Sequence, residues 1–341
     1  MCERIMNKYN VAVVGATGIV GETMLAILSE RNFPLRKIYA LASERSTGEL
    51  IKFKDQFLEV ENLANFDFSR VQIALFSAGT DVAAHYAPLA AAQGCIVIDN
   101  SSQFRYEATI PLVVPEVNPE AIAHYLNSHI IANPNCSTIQ MVVALKPLYD
   151  AVGIERINVA TYQSVSGTGK AAINELATQT TELINGRPIK SHIYPVQIAF
   201  NIIPQVDIFM ENHYTREEMK MVWETQKILG DKNIRINATA VRVPVFFGHS
   251  EAIHIETRDK ITTSEARKIL QHAPGVVLLE EDHYPTPAKE GTSKDAVYVS
   301  RIREDISHPR GLDLWVVADN VRKGAALNAI QIAELLIKNY F

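Results

Sequence analysis

Two stretches hold residue types that do covalent chemistry. In "IIANPNCSTIQMVVALKPLYD", Ile130 to Asp150, an apolar run stops at Asn133-Pro134-Asn135, presents Cys136, and resumes helical spacing through Ile139, Val142, Val143 and Leu145. A thiol at the N-terminal end of a helix lies among unpaired N–H groups at the positive end of the helix dipole, which lowers its pKa and raises its thiolate fraction. That is a nucleophile's position. Most cysteines are small buried hydrophobes, and Cys95 in "AAQGCIVIDN" is of that kind. The asparagine-proline approach and the polar Ser137-Thr138 argue against burial of Cys136, yet on local sequence alone both readings stay open.

A thiol nucleophile works with an acid or base, most often histidine, and ten histidines are present. His85, His124, His129 and His272 lie in helix-like or loop stretches with polar neighbours, and His308 lies in the turn "DISHPRG". His249 differs. "ATAVRVPVFFGHSEAIHIETR" reads as a strand, Thr239 to Phe247, broken at Gly248 and resumed at Ser250, so His249 falls at an irregular point beside Arg242. A lone histidine there is usually structural. An arginine and a helix-end cysteine in the same chain turn the reading toward catalysis.

These side chains need a scaffold, and the first third of the chain supplies its pattern. "YNVAVVGATGIVGETMLAILSER" reads as a strand over Val11–Val14, a glycine turn, and a helix with Val20, Met24, Ile27 and Leu28 on one face. "KIYALAS", "VQIALFSAG" and "GCIVIDNS" are short runs apolar on both faces, as in parallel strands covered by helices, and "DVAAHYAPLAAAQG" reads as a helix closing at Gly94. This is the rhythm of a doubly wound α/β sheet. In "GATGIVG", Gly15, Gly18 and Gly21 permit a tight turn and let backbone N–H groups approach a pyrophosphate at a helix N-terminus. The motif departs from GxGxxG, and a bland strand-to-helix turn is the alternative. At the end of the second strand, Glu44 would suit the ribose hydroxyls of NAD, whereas Ser43, Arg45, Ser46 and Thr47 together would suit the 2'-phosphate of NADP. The residues favour NADP, with a solvated charged loop as the other reading.

With 341 residues, 47% hydrophobic and 21% charged, the chain is long enough for two domains with their own cores. A net charge of −5 with dispersed lysines and arginines excludes a global nucleic-acid surface. The three cysteines, Cys2, Cys95 and Cys136, are far apart with no spacing suited to a structural zinc, which points to a reducing cytoplasm and no metal. Neither a signal-peptide core nor a membrane-length apolar run is present.

Taken in order, "GATGIVG", "NPNCST", "QSVSGTGK", "EEMKMVWETQKI" and "RVPVFFGHSEAIHIE" resemble aspartate-semialdehyde dehydrogenase across nearly the whole chain. The resemblance implies that Cys136 attacks the acyl carbon of aspartyl 4-phosphate, phosphate leaves, and NADPH reduces the thioester to the semialdehyde, on the way to lysine, threonine, methionine and diaminopimelate. It implies that His249 handles protons, Gln163 orients substrate, Arg242 holds the α-carboxylate and Glu217 meets the α-ammonium group. Arg105, Asn135 and Lys220 would hold phosphate. Without the resemblance, Glu217 and Lys220 would read as a surface ion pair on one helix face. Gly15, Thr17, Gly18, Ile19, Val20, Ser43, Arg45 and Ser46 would bind the dinucleotide, with Ser166, Gly167 and Asn320 by its nicotinamide end.

The implied architecture is a Rossmann-like dinucleotide-binding domain, residues 1–133, joined by the final helix 322–341, and an α+β catalytic and dimerisation domain, residues 134–321. A cytoplasmic homodimer or tetramer follows from the same resemblance. N-acetyl-glutamyl-phosphate reductase shares the chemistry but must accommodate an acylated amine, which Glu217 disfavours. An inactive NADP-binding paralogue would not need Cys136, Gln163, Arg242 and His249 together, and a Cys-His hydrolase leaves the glycine turn unexplained.

Overall fold

A computed structural model describes residues 8–280 and 282–341; Cys2 lies outside them. The chain divides into two compact units, the first running to Pro134 and including Ala325–Phe341, the second spanning Asn135–Gly324.

The first unit begins with β1 (Tyr9–Val14), α1 (Ile19–Glu30) and β2 (Leu35–Ala42), then β3 (Leu50–Phe53) and β4 (Gln56–Asn62), then β5 (Ile73–Phe76), α2 (Thr80–Ala92), β6 (Ile96–Asp99) and β7 (Ile130–Ala132). These strands form one sheet in the order β3-β4-β2-β1-β5-β6-β7, parallel except for the β3–β4 pair. Val11 to Val14 are fully buried, which explains why β1 is apolar on both faces: helices cover both sides of a parallel sheet. The sheet order reverses between β2 and β5, which flank β1, so a crevice opens beyond the carboxyl ends of these strands. The β3–β4 hairpin has no counterpart in the sequence reading. Its strands, LIKF and QFLEVEN, interleave apolar with polar or charged residues and are only partly buried, so they lack the apolar run that marked the other strands.

The second unit opens with α3 (Cys136–Val152) and β8 (Ile154–Gln163), followed by α4 (Lys170–Ile184), α5 (Arg216–Leu229), β9 (Arg235–Arg242), β10 (His249–Thr257), α6 (Thr263–Gln271), β11 (Val276–Leu278), β12 (Val297–Glu304) and β13 (Gly311–Ala318). Its sheet runs β11-β12-β13-β10-β8-β9. The single broken strand read over Thr239–Phe247 and onward is thereby corrected. β9 and β10 are separate strands on opposite sides of β8, one parallel to it and the other antiparallel. The connection between them passes over the end of β8, where Val165 N–H donates to the Val245 carbonyl at 2.9 Å and Ser166 N–H to the Phe246 carbonyl at 3.1 Å. Gly248 completes the reversal at φ +86°, a conformation that favours glycine, and a Cβ there would come 2.6 Å from the Gly291 carbonyl oxygen.

The chain ends with a π-helical turn, Arg322–Ala326, and α7 (Leu327–Asn339), whose Leu327, Ile330, Ala333 and Leu336 join the core of the first unit. Among the described residues no helix is long and apolar enough to cross a membrane.

Candidate active site

Cys136 is the first residue of α3. Asn135 caps this helix: its extended backbone lets Oδ1 accept from the N–H groups of Ser137 at 3.0 Å and Thr138 at 3.3 Å. The thiol is half-buried. Ser137 and Thr138, taken from sequence as signs of exposure, are completely buried. The Ser137 hydroxyl serves an interior polar cluster instead: Gln163 Nε2 donates to Ser137 Oγ at 3.0 Å, while Thr138 Oγ1 has no hydrogen-bond partner among the described residues.

α5 fixes the cap from the other side. Its start is set by a reciprocal Thr215–Glu218 capping box and its end by Gly230 in the left-handed region. Glu217, Lys220 and Glu224 recur at helical spacing on its inner face. Glu224 Oε2 accepts the Asn135 N–H at 2.6 Å, and Glu217 Oε1 accepts from Asn135 Nδ2 at 2.8 Å and from Gln163 Nε2 at 3.2 Å. Lys220 Nζ donates to Glu217 Oε2 at 3.0 Å and to Asp207 Oδ2 at 2.9 Å. This is no surface ion pair, for Glu217 is 5% exposed. Burial pushes the Glu217 carboxyl up, but the Lys220 charge, the Asn135 and Lys220 hydrogen bonds and the Arg242 charge together bring it down to about 2. Glu224 escaped the sequence reading, although its position two helical turns after Glu217 was an available signal.

Gln163 and Arg242 are register partners at the carboxyl ends of the parallel strands β8 and β9, and His249 starts the antiparallel β10 beside β8. All three therefore collect at one end of the sheet. Arg242 Nη1 donates to the Ser164 carbonyl at 2.6 Å, and the guanidinium carbon lies 6.0 Å from the Tyr194 ring centroid. Tyr194 is held in turn by Thr168, through its hydroxyl at 3.1 Å, and by Glu175, which accepts its N–H at 3.2 Å. Arg242 is 6% exposed, and its Nε has no hydrogen-bond partner among the described residues. A buried guanidinium with an unmet donor is suited to an incoming carboxylate.

His249 is completely buried. Its Nδ1 accepts the Ser164 N–H at 3.1 Å, and its Nε2 has no partner among the described residues. Burial, then the Arg242 charge, pulls the imidazole down to about 3, against the Glu217 charge and a Gly248 backbone contact. Gly167 leaves room at the ring, since a Cβ there would sit 3.6 Å from Nε2. The Ser166 and Asn320 side chains, assigned from sequence to the cofactor, bond to each other: Asn320 Nδ2 donates to Ser166 Oγ at 2.9 Å, while Asn320 Oδ1 accepts the Gly248 N–H at 2.9 Å.

Behind the thiol, Asp319 accepts from the N–H groups of Val321, Arg322 and Ser293, and this arrangement fixes the start of the π-helical turn. Gly324 in that turn lies against the nucleophile: a Cβ would meet Cys136 Cβ at 2.8 Å. Sequence gave no reason to single out Gly324. A π-turn beside a reactive residue is a recurrent feature of functional sites.

The three residues assigned to phosphate do not share a unit. Asn135 and Lys220 lie in the second, while Arg105 lies in the first, buried, with Nη2 donating to the Asn100 carbonyl at 2.7 Å.

Within the first unit a cleft of about 540 Å³ opens beyond the carboxyl ends of β1, β2, β4 and β5. Gly15, Thr17, Gly18, Ser43 and Glu44 line it, together with Asn62, Ser77 and Tyr86, which sequence reading missed. Gly15 has φ +81°, and its Cβ would lie 2.9 Å from the Ser77 carbonyl oxygen; a Cβ on Gly21 would be driven to 2.2 Å from the Gly15 oxygen. Gly18 caps α1 without any side-chain hydrogen bond, which leaves the helix N-terminus open to a ligand anion. These residues fit a dinucleotide. Ile19 and Val20 begin α1 half-buried and are not among the lining residues, nor are Arg45, which is exposed, and Ser46 on the short 3-10 turn after β2.

The domain model described as semialdehyde dehydrogenase, NAD binding domain, matches residues 10–125, and that described as semialdehyde dehydrogenase, dimerisation domain, matches residues 145–323. The aspartate-semialdehyde dehydrogenase of Shewanella violacea is 60% identical over 335 residues, 98% of this chain and 99% of its own. The crystal structure of aspartate semialdehyde dehydrogenase II from Vibrio cholerae complexed with ASA superposes with a TM-score of 0.97 at 59% identity, covering 98% of this chain and all of that one (100%). A more distant likeness in fold, TM-score 0.76 at 24% identity over 97% of this chain and 98% of that one, is to the aspartate semialdehyde dehydrogenase of Candida albicans solved with NADP.

Proposed function

Because this chain belongs to the aspartate-semialdehyde dehydrogenase family, we propose that it interconverts L-aspartyl 4-phosphate and L-aspartate 4-semialdehyde, with phosphate, through a thioester on Cys136. The observation that carries the substrate reading is a buried pair of opposite charges at one sheet end, Arg242 with an unmet donor and Glu217 held anionic. An α-amino acid has the complementary pair. Arg242 takes the α-carboxylate with its planar fork, and Glu217 takes the α-ammonium group. So anchored, the acyl carbon is presented to Cys136, with Gln163 orienting it.

Cys136 adds to the acyl carbon and phosphate leaves, received by Lys220, Asn135 and Arg105. Lys220 is already shared between two carboxylates and Asn135 already caps α3, so each offers phosphate only its remaining N–H. His249 serves the acyl oxygen on which charge gathers. A nicotinamide dinucleotide held along the Gly15–Gly18 turn supplies or removes the hydride. We take NADP as that dinucleotide, with Arg45 and its hydroxyl neighbours as partners of the 2'-phosphate; Glu44 in the cleft lining is the feature that would favour NAD. Ser166, Gly167 and Asn320 are assigned to its nicotinamide end, Thr17 to its phosphates, and Ile19 and Val20 to the helix start beneath it. We further propose a cytoplasmic homodimer or dimer of dimers assembled through the second unit, and a place in supply of the aspartate-derived amino acids.

Phosphate-dependent reduction of NADP by aspartate semialdehyde is the direct test. Equal or better turnover of the semialdehyde of N-acetyl-glutamate would transfer the chain to the related acyl-phosphate reductases. No phosphate-dependent turnover of either aldehyde, with NADP or NAD, would leave an inactive nucleotide-binding paralogue.

A further inference from the structure

We propose that Ser164, with Asn320 and Ser166 behind it, holds His249 as the neutral tautomer protonated on Nε2, so that His249 serves the reaction as a hydrogen-bond donor and not as a base. The inference deepens the function proposed above and rests on it for the part His249 plays in turnover; the tautomer itself rests on geometry alone.

A backbone N–H can only donate, and that of Ser164 points at His249 Nδ1 from 3.1 Å. Nδ1 must therefore present its lone pair, and the proton of a neutral ring sits on Nε2. Ser164 cannot swing away, because its carbonyl is bound by Arg242 Nη1 at 2.6 Å on the other side. The side chains repeat the instruction. Gly248 N–H fixes which end of the Asn320 amide is oxygen, and leaves Asn320 Nδ2 to donate to Ser166 Oγ at 2.9 Å. Ser166 Oγ lies 3.0 Å from Ser164 Oγ, which lies 3.2 Å from His249 Nδ1. Donation in one direction from amide to hydroxyl to hydroxyl ends on Nδ1, on the same lone pair that accepts the Ser164 N–H. Asn320 Oδ1, at 3.1 Å from both hydroxyls, is their alternative acceptor, so the backbone N–H is the part of the lock that cannot reverse.

The charged groups around the ring are Arg242, which opposes a second proton, and Glu217, which favours one; burial adds to the Arg242 effect and favours the neutral ring. Nε2–H is then a buried donor without a partner among the described residues, in the space that Gly167 leaves open.

Such a donor is sufficient for the chemistry. When hydride adds to the thioester carbon, the carbonyl electron pair moves to oxygen. That oxygen then re-forms the double bond, the C–S bond breaks, and its electron pair leaves on Cys136 as thiolate. No proton is gained or lost between thioester and aldehyde, and none in the reverse direction starting from thiolate. What the oxygen needs is stabilisation of its transient charge, which one fixed donor supplies to the extent of about a hundred- to a thousandfold in rate.

The test uses the full-length protein labelled with 15N at histidine, with His249 assigned by the signal lost in His249→Asn. Wild-type His249 is expected to show a proton on Nε2 and an unprotonated Nδ1, unchanged from pH 8 to pH 5. Ser164→Ala and Asn320→Ala keep the backbone N–H and remove only the side-chain relay; they are expected to lower kcat several-fold with KM for the semialdehyde little changed, and Ser164→Thr to restore the Ser164→Ala loss. A proton on Nδ1 in the wild type, or titration of His249 between pH 5 and pH 8, overturns the proposal irrespective of how the variants fold. Full kcat in Ser164→Ala removes the positioning role of the Ser164, Ser166 and Asn320 side chains. If His249→Asn keeps normal kcat while the spectrum stands, the tautomer is right and the catalytic assignment of His249 is what fails.

Discussion

Arg242→Lys keeps the charge at the site and removes only its shape, so it separates an anchor from a mere counter-ion. The guanidinium at present has one arm on the Ser164 carbonyl at 2.6 Å and leaves Nε without a partner among the described residues. A lysine ammonium is a point charge. If it keeps the carbonyl it holds the substrate carboxylate through a single bond, and if it turns to the carboxylate it releases Ser164. Either way one charge-assisted bond is lost in a site that is 6% exposed, where water does not replace it. That is worth roughly 1.5 to 3 kcal/mol, or about ten- to a hundredfold in kcat/KM, and displacement of the acyl carbon from Cys136 adds to it. The assay compares wild type and variant on aspartate semialdehyde and on propionaldehyde, which has no carboxylate to hold. The loss should appear with the first substrate, whereas the two enzymes should be about equally poor on the second. Equal efficiency on the semialdehyde would refute the anchor. Arg235 and Arg258 are weak replacements, since both are more than half exposed and engaged with surface carboxylates.

Cys136 should be alkylated at neutral pH far faster than Cys95, whose buried thiol is pushed up to about 12, and aspartate semialdehyde should protect it; equal labelling by mass spectrometry would remove Cys136 as the nucleophile. Arg45→Ala should weaken NADP by about 1.5 to 3 kcal/mol and leave NAD nearly untouched, and unchanged NADP binding by calorimetry would return the choice to Glu44. Gly324→Ala puts a methyl group 2.8 Å from Cys136 Cβ, so either the thiol or the π-turn must shift; the expectation is a loss of about tenfold or more in kcat and slower alkylation of Cys136, and full activity would mean that the turn yields freely. Glu251 is fully buried, neither oxygen has a partner at hydrogen-bonding distance among the described residues, and burial raises its carboxyl well above the ordinary range against the lowering effect of nearby Gln140. The folded state thus binds a proton that the unfolded state releases, and stability falls by about 1.4 kcal/mol per pH unit above the ordinary carboxylate range until Glu251 ionises. Glu251→Gln should remove that slope and be more stable than its parent at pH 7 than at pH 5 in relative terms; urea melts with the same pH dependence for both would show the carboxyl to be hydrated.

What sequence could and could not disclose follows from the range of the interactions involved. The position of Cys136 was legible because helix starts are local: an asparagine cap and a proline before it act within one turn. So was the glycine turn after β1, where φ and close approach act on neighbouring residues. The surroundings of His249 were not, because they depend on which strands are neighbours. Residues 239–257 read as one strand broken at Gly248 and resumed at Ser250, and nothing within that pattern tells a broken strand from two strands that straddle a third. Once β8 lies between them, Ser164 becomes the residue that faces His249, Gln163 comes into register with Arg242, and the three functional side chains meet at one sheet end. The same reversal accounts for Ser137: a polar residue after the thiol looks solvent-facing in sequence, but it faces an interior that is itself polar because Gln163, Glu217 and Glu224 were brought there by β8 and α5. A buried polar centre carries no local signature, since the bonds its members do make go to partners far away in the chain.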